Sequence, residues 1–356
     1  MDRRQWMRAC GGVAAMATVR PSRLFAGGER SPQQTAMGIV IYCLGHRQSA
    51  MKQEDPRAEL FDPLTFLEYC HQLGAGGIQV PLGIRDEPYV QQLRQRAGQY
   101  GMFLEGIAGP PQQEADVERF DAEMRTAQLA GVKSVRTVIF AGRRYEQYRS
   151  AEEFRRAAER GRVALERAAR VVERRRVRLA VENHKDHRVS ERLELLRKIS
   201  SEYVGACVDT GNNLALLEDP LHVVEAFLPW AFSVHLKDQA VQEYEDGFLL
   251  ADVPMGDGFL DLQKTIDVLR RARPGICFSL ETITRDPLKV PCLTEQYWAT
   301  LADVPGSDLA RILRVARAKA AQHFPEVSQR SPTERAELED QIVKKCLAYA
   351  RTKLRL

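Results

Sequence analysis

Between Leu179 and Glu281, four short apolar runs each end in a side chain able to hold a metal ion: LAVEN with Glu182, GACVDTGN with Asp209, FSVHLKD with His235 and FSLET with Glu281. The four residues lie 27, 26 and then 46 positions apart. The first two intervals are the length of one strand, one helix and their loops. That rhythm predicts successive parallel strands whose C-terminal ends meet at one face. A charged group at the end of a β-branched or aromatic run is costly unless paired or ligating. Four in phase therefore predict an oxygen-rich site for one divalent ion.

The rest of the chain repeats the pattern. Apolar runs at 35–44, 78–82, 102–107, 134–140, 177–181, 204–208, 232–236 and 276–280 predict eight strands. Polar, periodic segments between them predict helices. Several open on Asp-Pro, at Asp62-Pro63 and Asp219-Pro220, and close on glycine, at Gly74, Gly101 and Gly131; these are start and stop signals of helices. The expected fold is an α/β (β/α)8 TIM barrel with extra C-terminal helices. The barrel is expected at 35–290, with a helical extension packed on it at 291–356, its helices at 307–323 and 333–353 serving as outer packing or a subunit contact. The longer interval before Glu281 holds a segment, 239–258, expected as a loop that folds over the mouth as a lid.

Composition narrows the function. The 356 residues are 44% hydrophobic, enough for a sizeable core, and the net charge is only +4 with acids and bases well mixed. This is not the charge pattern of a nucleic-acid binder. No apolar run approaches the length of a membrane span. Beside Cys10 there are six cysteines, of which Cys43, Cys207 and Cys277 fall inside apolar runs and read as small buried hydrophobes; nothing in the spacing argues for a disulfide framework. Residues 1–30 are read apart from the fold. Arg3-Arg4 before Trp6 and Met7, then a Gly/Ala-rich stretch, resemble a twin-arginine export signal, with Leu24-Phe25-Ala26 as an imperfect cleavage site. The resemblance implies a periplasmic or otherwise exported protein.

The order and phasing of Glu182, Asp209, His235 and Glu281, with the HLKD run at 235–238, resemble the metal tetrad of the xylose-isomerase-like barrel superfamily. That superfamily includes sugar isomerases, ketose 3-epimerases, inosose dehydratases and the apurinic endonuclease IV family, and the resemblance covers about 37–283. It implies a small carbohydrate substrate, proton transfer through a metal-stabilised enediolate, and Glu182 and Glu281 as ligands that also act as base and acid on opposite substrate faces. Asp209 and His235 would be ligands only. Three carboxylates and one imidazole suit Mn²⁺ or Mg²⁺, with Co²⁺ and Zn²⁺ as alternatives. A neutral histidine ligand needs a partner on its other nitrogen, and no residue stands out for that role.

Lys237 points to the side of His235 and is a candidate catalytic group, bonding a substrate oxygen or pairing with a carboxylate. Asn183, His184, Asn212, Glu105 and Arg285 are candidate substrate contacts, while His187 is expected in solvent. Asn212 stands where the endonuclease and ketose epimerase branches commonly have histidine, and the histidines for a trinuclear zinc cluster are not evident. The expected activity is isomerisation or epimerisation of a non-phosphorylated sugar or keto-sugar. The alternative is a lyase on an oxidised sugar, a dehydratase, decarboxylase or keto-glycoside-cleaving enzyme using the same first step. A non-catalytic sugar-binding barrel and an apurinic endonuclease rank lower. A homo-oligomer is compatible with the sequence.

Overall fold

The computed structural model describes residues 34–140 and 142–356. The export-signal reading falls outside these residues. Eight parallel strands close into a barrel: β1 (Gly38–Val40), β2 (Gly77–Val80), β3 (Phe103–Ile107), β4 (Val135–Thr137), β5 (Leu179–Glu182), β6 (Val204–Asp209), β7 (Ala231–Leu236) and β10 (Phe278–Leu280). Each pairs with its sequence neighbours in the barrel, and β1 closes the ring by pairing with β10 as well as β2. This is the TIM barrel with additional C-terminal helices.

Local chemistry sets the helix bounds. The Asp62 carboxylate accepts from Leu64 N and Thr65 N, with Pro63 first in α2 (Pro63–Gln72) after α1 (Gly45–Glu54). Next come α3 (Glu87–Gln99) and α4 (Val117–Ala130), the latter stopped by Gly131 at φ 71°. A short α5 (Arg144–Gln147) leads into α6 (Ala151–Arg175). That helix buries Phe154, Ala157, Gly161, Ala164, Leu165, Ala168, Val171 and Val172, one stripe at helical spacing. Then α7 (Val189–Ile199), α8 (Pro220–Phe227) and α9 (Leu262–Ala272) complete the outer ring.

Two expectations are corrected. The run 35–44 is strand only at 38–40; it continues as a 3-10 turn at 41–44 and then α1, because a continuously buried apolar run suits either conformation. The segment at 239–258 is no loop. It contains an antiparallel hairpin of β8 (Asp238–Tyr244) and β9 (Gly247–Val253), joined by a third strand, β11 (Leu288–Val290). Val241, Phe248, Leu250 and Val290 share a second core with Tyr145, Leu214, Tyr297 and Ile312. A sheet with its own buried face is fixed in place, unlike a free lid. The loop that follows is pinned by Asp238, whose carboxylate accepts from the backbone N–H groups of Gly256, Gly258 and Leu260. A Cβ at Gly258 would lie 2.1 Å from Asp238 Oδ1, so only glycine fits.

The extension adds α10 (Glu295–Trp298), α11 (Gly306–Ala318) and α12 (Pro332–Thr352). Ser331 and Glu334 form a capping box at the start of α12, and Val343, Cys346, Leu347 and Ala350 join the main core. No helix among the described residues is long and apolar enough to cross a membrane. Cys43, Cys70, Cys207, Cys292 and Cys346 are buried thiols with no disulfide among the described residues.

Glu339 of α12 reaches across to cap α1, accepting from His46 N at 3.1 Å and Arg47 N at 2.8 Å. Burial pushes its carboxyl up to about 7, with the two backbone N–H groups pulling the other way. A folded-state pKa above the unfolded value means stability is fully present below the unfolded pKa, near 4.5, and falls as pH rises through about 7. Relative to Glu339→Gln, the native protein should therefore lose on the order of 2 kcal/mol between pH 5 and pH 8. Melting both proteins across that range checks this; parallel curves would refute it.

Candidate metal centre and active site

The four strand-end residues converge. One donor atom from each of Glu182, Asp209, His235 and Glu281 lies within 4.8 Å of the others, and all four side chains are buried. Register explains it: Glu182 ends β5, Asp209 ends β6 beside His235 of β7, and Glu281 follows β10.

The donor set fits a cation. His235 Nε2 lies 2.7 Å from Gln79 Oε1, while Gln79 Nε2 donates to Glu105 Oε2 at 3.0 Å. A carboxylate only accepts, so the Gln79 amide is oriented with its oxygen toward the imidazole, and His235 carries its ring proton on Nε2. That leaves the Nδ1 lone pair facing carboxylate oxygens of Glu281 and Glu182 at 3.4 and 3.8 Å. His235 Nδ1 is buried without a hydrogen-bond partner, and Asp209 Oδ2 beside it meets only the Lys237 ammonium. Acceptors turned toward one another in a buried space require a positive charge between them. The cluster can chelate a divalent cation.

Gln79 is thus the partner of His235. Glu105, expected at the mouth, lies beneath the site. It accepts from Gln79, Ser134 Oγ and Ser279 Oγ and is fully buried, so it orients the ligand layer and does not reach substrate. Gln79→Leu should weaken ion binding about 10–100-fold, the usual cost of losing such support. Calorimetric titration with Mn²⁺ measures it; an unchanged Kd would refute this role.

Two cations serve the three carboxylates. Glu182 pairs with Arg136, whose Nε lies at 2.5 Å, and accepts from Asn212 Nδ2 at 3.0 Å. Burial favours its neutral form, but Arg136 outweighs burial and holds it below the usual range. Lys237 Nζ bridges Asp209 Oδ2 at 2.8 Å and Glu281 Oε2 at 2.6 Å. Burial likewise opposes ionisation of Glu281, and the Lys237 ammonium overcomes it and holds the carboxyl well down. For Asp209 burial prevails, raising it to about 6. Arg136 also donates to the Tyr42 hydroxyl at 3.2 Å.

The remaining candidates divide. Asn212 is at the centre, accepting from Lys185 and, at 3.5 Å, from Lys237. His184 and Arg285 line the cavity above the tetrad. Asn183 does not: its amide ties β5 to β6 through Asp209 N and O and Asn213 Oδ1. His187 is buried, edge-on to Phe140 and Phe154 at 5.0 and 5.6 Å, and burial lowers it to about 3; the expectation of a solvent position is overturned. Arg136, Lys185 and Gln79 were missed. Two of them are polar residues within strand-length runs, which is the signal that could have found them. Lys185 is buried, and its pKa falls to about 8 through burial and then Lys237.

The cavity has a volume of about 380 Å³, with Tyr42, Phe61 and Ile283 beside the charged groups. A larger surface groove, about 500 Å³, runs along α6 and α7. None of the tetrad lines it, so the chemistry belongs to the smaller cavity.

Comparison with known proteins agrees with this architecture. The structure is similar to D-psicose 3-epimerase solved in the presence of D-fructose (TM-score 0.55, 14% identity, 84% of this chain and 94% of that one). It is similar to D-psicose 3-epimerase from Clostridium cellulolyticum H10 solved with D-tagatose (TM-score 0.53, 12% identity, 81% and 92% covered). It is also similar to 3-keto-D-glucoside 4-epimerase from E. coli (TM-score 0.51, 12% identity, 78% and 99% covered). At these identities the likeness is one of fold. In sequence, 96 residues are 29% identical to 3-oxo-isoapionate decarboxylase of Pectobacterium atrosepticum, covering 26% of this chain and 35%, about a third, of that relative. Residues 67–304 match the family described as xylose isomerase-like TIM barrel, and the chain belongs to that family.

Proposed function

We propose that the protein is a metal-dependent isomerase or epimerase of a non-phosphorylated sugar or keto-sugar, moving a proton on the carbon beside a carbonyl through an enediolate. The observation that carries this reading is the placement of Glu182 and Glu281, which approach one ion position and are each kept ionised by a separate cation. A divalent ion, Mn²⁺ or Mg²⁺, held by Glu182, Asp209, His235 and Glu281 would supply Lewis-acid stabilisation of negative charge on the substrate oxygen. Both glutamates rest ionised: one takes the carbon proton, and the other relays a solvent proton to the opposite face. Lys237, held as an ammonium by Asp209 and Glu281, stabilises negative charge and is not a base.

A second reading is a lyase on an oxidised sugar, favoured by the similarity to a decarboxylase and by Asn212. In dehydration or keto-glycoside cleavage the electron pair left by the departing proton expels the leaving group; in decarboxylation carbon dioxide departs instead of a proton, its bonding pair stays on the carbon as the enediolate, and that carbon then takes a proton. Incubation with keto-sugars and Mn²⁺ in deuterated water tests both readings. One deuterium gained in an isomeric product supports the first; lost water, carbon dioxide or aglycone supports the second; no label and no mass change sinks both. Arg3-Arg4 supports export of the folded protein, and cell fractionation with both arginines changed to lysine tests that.

A further inference from the structure

Two of the cavity's cations are paired with none of its acids. Four cationic side chains line it: Arg136, Lys185, Lys237 and Arg285. Arg136 is matched by Glu182, and Lys237 by Asp209 and Glu281. Lys185, only 4% exposed, reaches a neutral amide oxygen, Asn212 Oδ1, and forms no ion pair among the described residues; nor does Arg285. The other acid near this pair is Asp252, whose oxygens accept from Gln239 Nε2 and Ile283 N. Four cations against Glu182, Asp209, Glu281 and Asp252 balance; a divalent ion then adds two positive charges. Glu105, deeper in the barrel, removes at most one of them. A buried ammonium without a counter-ion is costly, so a group that completes it should arrive with the ligand.

We infer that the substrate is a sugar acid, and that Lys185 and Arg285 receive its carboxylate while the tetrad addresses the carbonyl end. This deepens the proposed function and rests on it for the carbonyl end only. A carboxylate fits better than a phosphate ester. Phosphate sites draw on free backbone N–H groups at a helix start, and the N-terminal amides of α1, beside this cavity at Gly45, are already taken by Glu339. A cavity of about 380 Å³ also suits a small sugar acid.

Calorimetric titration of the full chain tests this, both chelator-stripped and with Mn²⁺, using D-xylonate, xylitol and xylitol 5-phosphate. The stripped protein removes the ion's own affinity for carboxylates. Xylonate should bind at least tenfold tighter than xylitol in both forms. Lys185→Met should erase that preference and leave xylitol unchanged, and Lys185→Arg should restore most of it. Should Lys185→Met not fold, as judged by circular dichroism, Arg285→Met at the half-buried position carries the same expectation. Equal binding of xylonate and xylitol, an unaltered preference in the methionine variant, or tighter binding of the phosphate ester would each overturn the inference. Charge-selective binding without any deuterium exchange would sink the enolisation reading and leave this one standing; exchange without charge selectivity would do the reverse.

Discussion

Glu281→Gln should lower solvent-deuterium exchange into a keto-sugar by about 10³-fold or more, in the range a positioned general base contributes. The substitution keeps the volume and removes the charge. It also turns an amide toward the groups that Glu281 now serves: Lys237 Nζ at 2.6 Å would meet an amide N–H in one orientation, and in the other His235 would lose its 3.4 Å carboxylate neighbour. Ion affinity should weaken too, so exchange must be measured at saturating Mn²⁺ with bound metal quantified. Glu182→Gln gives the matching experiment on the other carboxylate. In an epimerase, which needs a group on each substrate face, both variants should fail by similar factors. In a lyase working from one face, one should fail far more than the other. If Glu281→Gln with a full complement of ion keeps more than a tenth of the exchange, Glu281 is a ligand without a proton-transfer role.

The sequence carried the tetrad because strand ends announce themselves: an apolar run followed by an acid or imidazole, at the interval of a βα unit. It could not carry what depends on register between distant strands. Gln79 and His235 are 156 positions apart, and nothing local to either marks the contact. The depth of Glu105 is not legible locally either, since alternation gives the face a residue points to and not the layer it occupies. The hairpin was legible and overlooked. Tyr244 and Gly247 pair across Glu245 and Asp246, and an Asp-Gly step between alternating runs is a hairpin signal. The βα rhythm, which has no place for a hairpin between β7 and the next barrel strand, favours a loop there over this local pattern. Arg136 is the most instructive omission, because a charge inside the run from Ser134 to Phe140 already demanded a buried partner.

That partner gives Arg136→Met its expected consequence. Glu182 is fully buried and Arg136 only 6% exposed. Removing one member of such a pair strands the other as an uncompensated charge, which costs about 3–5 kcal/mol. The Tyr42 hydroxyl loses its donor as well. In ion-free buffer the variant should melt several degrees below the native protein. A divalent ion offers Glu182 a second counter-charge, so Mn²⁺ should recover more of the lost stability in the variant than it adds to the native protein, through the linkage between binding and unfolding. Arg136→Lys keeps a charge but not the planar fork, and should fall between the two. Two melting curves per variant, with chelator and with Mn²⁺, decide the matter. A methionine variant that melts with the native protein in chelator would mean that Glu182 does not rely on Arg136. A deficit that Mn²⁺ leaves untouched would mean that Glu182 does not meet the ion.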